Sequence, residues 1–141
     1  MIGDSEFGGR YAPQALSLLR IVAALIFLLH GSSKLLGFPP SETPMPPAMS
    51  FMWFGGALEL VGGLMLLFGI LSRPVAFILS GEMAVAYWMF HAPSSTFPSV
   101  NGGDAAILYC FAFLFIAAAG PGPWSVDAAL RRRRPIVDER P

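Results

Sequence analysis

The sequence predicts an all-α membrane protein, a four-helix transmembrane bundle with both termini on the cytoplasmic side. Three observations carry that expectation. Of 141 residues, 55% are hydrophobic and only 13% charged, where a soluble domain carries about 25% charged residues; the mean hydropathy is +0.61. Four apolar stretches, the first long enough to cross a bilayer core of about 30 Å, are separated by segments rich in glycine and proline. Lysine and arginine are distributed unevenly: Arg10, Arg73, the run Arg131 to Arg134 and Arg140 belong to the tails and to the turn between the second and third stretches. The opposite loops carry none, and Lys34 merely ends a helix there. By the positive-inside rule both tails are cytoplasmic.

Residues 1–13, polar and glycine-containing, read as a flexible tail. Residues 14–123 form the membrane domain, with helices expected over about 15–36, 49–71, 74–91 and 104–119, and residues 124–141 form an interfacial and basic tail. The first helix is too long for the apolar core of a signal peptide and lacks a small-residue cleavage pattern at its end. Gly37-Phe38-Pro39-Pro40 stops it, and prolines continue to Pro47. Helix two has Glu59 as its one charge, flanked at helical spacing by Gly55, Gly56, Gly62 and Gly63. Small residues let membrane helices approach closely, so Glu59 belongs on a packing face, within the bundle or in a homo-oligomer. Pro74 opens helix three, which holds Glu82 at its centre and Tyr87, Trp88 and His91 at its far end, where aromatic residues meet the membrane interface. Asp104 suits the start of helix four as a cap. Four arginines beside a span face anionic lipid, at about 1 kcal/mol each, rather than nucleic acid.

Arg20, His30 and Lys34 lie within an arc of about 80° on helix one. Charge is costly against hydrocarbon, so this stripe should face protein or a wet cavity. Depths estimated from the helical rise place His30, Lys34 and Glu59 together in the outer half, and bring Arg20 toward Glu82 in the inner half. These ions serve either to fix helix register or to form a site for a polar, proton-exchanging head group, with His30 as the titrating member and Glu59 beside it as the catalytic pair, and Lys34 as a ligand-binding cation. Arg20, Glu82, Tyr87, His91 and Asp104 complete the set of candidate ligand-binding residues. A quinone fits such a site, as does another small amphiphile. The single cysteine, Cys110, excludes an internal disulfide, a CxxC redox pair and a cysteine zinc site. No flavin, haem or iron–sulfur motif is present, although His30 and His91 both lie toward the outer side, as paired haem ligands would.

The segments HGSSKLLGF, ALELVGGLMLLFG, SGEMAVAYWMFH and NGGDAAILYCFAFLFIAAAGPGPWSVD together resemble the DoxX family of small four-helix bacterial membrane proteins, over about Leu16 to Asp127. Family members often have Glu where Asp104 stands, so the carboxylate is kept and its reach shortened. The resemblance implies a multi-pass protein of the bacterial inner membrane with an oxidoreductase role, in some relatives as a membrane subunit of thiosulfate:quinone oxidoreductase and in others beside soluble redox partners. Three functions follow as expectations: a quinone-linked oxidoreductase subunit, a non-catalytic anchor or assembly factor for soluble redox enzymes, and a small proton or solute transporter.

Overall fold

A computed structural model describes residues Glu6–Arg133. The first five residues of the expected flexible tail, and Arg134 and Arg140 of the basic tail, lie outside the described residues. The described chain is helical throughout, with no strand: α1 (Glu6–Leu36), α2 (Phe51–Phe68), α3 (Ser72–Ala86) running into a wide π-type turn (Tyr87–His91), α4 (Pro98–Asn101), α5 (Asp104–Ala119) and α6 (Val126–Arg132).

Several boundaries differ from the sequence reading. α1 begins at Glu6 rather than near residue 15, and Pro13 sits inside it. The proline lacks an N–H for the Gly9 carbonyl, so one bond of the helical ladder is missing there. α2 starts two residues later than expected because Ser50 caps it, its hydroxyl accepting the Trp53 N–H. It ends at Phe68 because Gly69, at φ 71°, turns the chain left-handed and donates its N–H to the Leu66 carbonyl. α6 was not expected as a helix; Ser125 caps it through the Ala128 N–H.

Two antiparallel pairs, α1 with α2 and α3 with α5, make the bundle. Glycines bring α1 and α2 together: a Cβ at Gly31 would fall 2.5 Å from the Leu60 nitrogen, and one at Gly63 would fall 3.2 Å from the Leu28 Cα. The glycine face of α2 is thus filled from within the chain. α3 and α5 are tied by the Ser80 hydroxyl, which donates to the Cys110 carbonyl at 2.8 Å. Phe27 of α1 joins the two pairs, edge-on to Phe113 at 4.9 Å and tilted against Tyr109 at 5.3 Å. α2 and α3 touch closely where Leu79 fills the space over Gly62, with a virtual Cβ there 2.8 Å from a leucine methyl, and separate toward the other end.

The core is apolar, built from residues such as Ala24, Phe27, Leu66, Leu79, Phe113 and Ile116, yet polar groups are buried with it and large apolar side chains cover the outside. Arg20, Glu59, Ser17, Ser72 and Ser80 are buried, while Leu18, Val22, Leu25, Leu58, Val61, Phe77, Ile78, Leu108, Phe111 and Phe115 are exposed. An apolar belt around a bundle with polar groups inside is what a hydrocarbon solvent selects. Two helices, over Gly9–Leu36 and Phe51–Phe68, are long and apolar enough to cross a membrane, and Asp104–Ala119 is a shorter apolar helix.

Candidate functional site

Lys34 stands in the last turn of α1, and its stem crosses α2 at Gly56, where a Cβ would lie 3.1 Å from the Lys34 Cβ. The absence of a side chain there lets the ammonium reach Glu59, and Nζ meets Oε1 at 2.6 Å. Glu59 is 3% exposed, and its other oxygen, Oε2, is buried without a hydrogen-bond partner among the described residues. One turn before Glu59, Gly55 makes room for Glu82 of α3, whose Oε1 lies 3.3 Å from where a Cβ would be. Glu82 is within electrostatic reach of both Glu59 and Lys34, and its Oε2 is likewise buried and unpartnered. One ammonium therefore serves two carboxylates, and two buried acceptor oxygens remain to be satisfied. Native proteins rarely leave such groups without a role.

These three side chains line a groove of about 570 Å³ between α2 and α3. Its walls include Phe54, Leu58, Ile78 and Val85, all exposed on the flank of the bundle, so the groove opens sideways, where lipid would lie. His91 closes its end from the wide turn, with Nδ1 3.1 Å from the Asn101 carbonyl and its ring stacked on Tyr87. A second cavity of about 640 Å³ lies under the proline-rich connection from α1 to α2, with the hydroxyls of Ser33, Ser41, Thr43 and Ser50 on its wall. Lys34, Phe51, Met52 and Phe90 border both spaces.

The structure regroups the residues expected from the sequence. Lys34 and Glu59 meet, and Glu82 and His91 join them. His30 does not: it sits one position before the Gly31 that packs on α2, so its ring turns to α5 and lies edge-on to Tyr109 at 6.3 Å. Arg20 does not pair with Glu82. It is fully buried, and its guanidinium donates to four carbonyls: Pro121 at 2.8 Å, Leu67 at 2.7 Å, Leu66 and Trp124. It caps the C-terminus of α2 and ties it to the segment after α5. Tyr87 packs edge-on to Trp88 and over Gly103, outside the groove. Asp104 is exposed in the first turn of α5 and makes no side-chain capping bond.

The end of the bundle that holds Arg20 is a knot of helix-end locks that the sequence reading missed. Arg73 donates to the carbonyls of Ala117 and Ala118 at 2.9 and 2.6 Å, closing the C-terminus of α5. Asp127 of α6 accepts the N–H groups of Leu71 and Ser72 at 2.9 and 2.8 Å, capping α3 in place of a local residue. Burial would raise the Asp127 carboxyl, but the Ser72 and Leu71 bonds and the charge of Arg131 outweigh it and hold it below an ordinary aspartate.

The pairing of the two glutamates had a signal in spacing. Glu59 is eight positions from Phe51 at the start of α2, and Glu82 is nine from His91 at the end of the wide turn, so on antiparallel helices both lie about 12–13 Å below the same end.

An apolar-belted helical bundle with an ion pair and a second carboxylate inside defines a membrane protein with an intramembrane polar centre. The DoxX family model matches residues 15–92, and the chain belongs to the DoxX family. It is 41% identical to an uncharacterized protein of Haemophilus influenzae over 84% of this chain and 92% of that one. It is also similar to the inner membrane protein YqjF of Escherichia coli, 28% identical over 81% of this chain and 90% of that one. An uncharacterized membrane protein of Mycobacterium tuberculosis is 25% identical over 86% and 84% of the two chains. No solved structure matches.

Proposed function

We propose that this DoxX-family protein is a four-span subunit of the bacterial inner membrane, with both termini in the cytoplasm, whose α2–α3 groove binds a quinone-type redox amphiphile. α3 and its wide turn cover residues 72–91 and, with α5, pack alongside the two long helices, which supports four crossings. Arg73 and Arg131–Arg133 lie at the knotted end, which supports a cytoplasmic assignment for that end.

The observation that carries the reading is the pair of unpartnered buried oxygens, Glu59 Oε2 and Glu82 Oε2, at the head of an apolar groove open to the side. A molecule with a polar ring and an apolar tail fits that combination: the ring reaches the carboxylates and the tail leaves between α2 and α3. When bound, a quinone supplies two-electron chemistry coupled to proton exchange. The chain's own residues position and protonate. Lys34 fixes Glu59 by their 2.6 Å contact, Glu59 and Glu82 take up or deliver protons at their free oxygens, and Phe51 and Phe90, 6.3 Å apart at the border of the two cavities, shield the head group from the loop-side space. Electrons pass to or from a soluble redox partner at the membrane surface.

The test is purification in native lipid followed by mass spectrometry. Quinone enriched over an unrelated membrane protein prepared in parallel, and lost from Glu59→Gln and Glu82→Gln, supports the reading. Quinone no higher than in the parallel preparation, with soluble redox enzymes co-purifying, refutes it in favour of an anchor.

A further inference from the structure

Resting on that binding site, we infer that the groove selects the reduced, hydroxyl-bearing form of its ligand over the oxidised, carbonyl form. The reason is a count of donors and acceptors. Glu59 Oε2 and Glu82 Oε2 are buried acceptors without partners. The one cation of the groove head, Lys34, commits one of its three N–H donors to Glu59 Oε1 at 2.6 Å; its side chain is partly exposed and borders the loop-side cavity as well as the groove, so its other donors can turn to water, which the two orphan oxygens cannot. His91 Nδ1 is taken up with the Asn101 carbonyl.

A carbonyl only accepts. Against two ionised carboxylates it satisfies neither orphan oxygen, and it adds an acceptor of its own. A hydroxyl donates and accepts, so it fills one orphan directly. The conclusion survives a change of protonation. With one proton shared between Glu59 and Glu82, the site has one unmatched donor and one unmatched acceptor; a single hydroxyl accepts from the first and donates to the second, whereas a carbonyl again serves only one. Leaving a buried polar group unpaired is the costly outcome in either state, and the reduced ligand leaves fewer such groups than the oxidised one in both.

The experiment uses the full chain in lipid nanodiscs under anaerobic conditions, with decyl-substituted benzoquinone and benzoquinol as probes and calorimetry as the readout. The quinol is expected to bind at least tenfold tighter than the quinone. Because preferential binding of the reduced form raises the potential of a bound couple, each tenfold preference corresponds to about 30 mV for a two-electron couple, which redox titration of the bound probe reads independently. Glu82→Gln removes an acceptor oxygen and is expected to bring the preference below threefold, with weaker quinol binding accounting for most of the change. Equal affinities in the wild-type protein, or tighter quinone, overturn the selectivity while leaving the binding site standing. Failure of both probes to bind overturns the site and the selectivity together.

Discussion

Replacing Arg20 by Met is the most severe single change the structure identifies outside the groove. The methionine fills much of the same volume but offers no donor. Four carbonyls lose their partner: Leu66 and Pro121 at bonds that are buried, Leu67 and Trp124 at bonds that are partly so. The partly buried pair can turn to water at little cost. The two buried carbonyls cannot, and at about 1–3 kcal/mol for each orphaned buried acceptor the loss is about 2–6 kcal/mol. The gross strength of four charged hydrogen bonds is larger, but methionine also removes the desolvation cost of a buried guanidinium, so the orphaned carbonyls set the scale. Unfolding of the purified protein by titration with sodium dodecyl sulfate measures the difference. Arg20→Lys should recover little, because one ammonium cannot reach acceptors on two separate segments as a planar fork does. A loss below about 1 kcal/mol for Arg20→Met refutes the reasoning. Combining Arg20→Met with Glu82→Gln should be additive to within about 0.5 kcal/mol, since the two residues share no partner.

At Gly31, substitution by Ala places a Cβ about 2.5 Å from the α2 backbone; helix separation should cost about 1–3 kcal/mol in the same titration and weaken the Lys34–Glu59 contact. Asp127 is held below its ordinary pKa by the α3 amides, so its stabilisation is present above the unfolded value of about 3.9 and is lost as pH falls through the folded value. The stability of wild type should therefore fall more steeply below about pH 4 than that of Asp127→Asn, which is already the less stable of the two at neutral pH. A reporter active only in the periplasm, inserted between Ser41 and Pro46, should be active, and one fused after Pro141 should be silent; the opposite pattern reverses the orientation.

Helix class and the burial of Glu59 were legible because they follow from period and from glycine placement: residues one turn apart share a face, and a carboxylate amid glycines packs inward. Lys34 was legible for the same reason, as it stands about 60° from Gly31 and leans toward the same neighbour. His30 was misplaced by that reasoning. An arc of about 80° is wide enough to straddle two neighbours, and only the close approach of α2 at Gly31 decides that His30 faces α5 instead. Arg20 was misread because charge balance suggested an acidic partner, whereas helix ends present carbonyls that an arginine can cap equally well. Asp127 lay beyond sequence reasoning altogether, since it caps a helix that begins 55 positions earlier in the chain.

The knot at the arginine-rich end has a mechanical meaning. α3 is fastened at its start by Asp127 and Arg73, tied to α5 by Ser80, and packed hard on α2 where Leu79 fills the space over Gly62. It is therefore a lever with its fulcrum against α2 at Leu79. Glu82 rides about 4.5 Å along the arm and His91 about 18 Å along it, so a tilt of about 5° carries Glu82 by about 0.4 Å and His91 by about 1.6 Å. Glu59 stays behind with α2, held by Lys34. The gap between the two carboxylates is thus geared to the angle of one helix, and a ligand that bridges them fixes that angle.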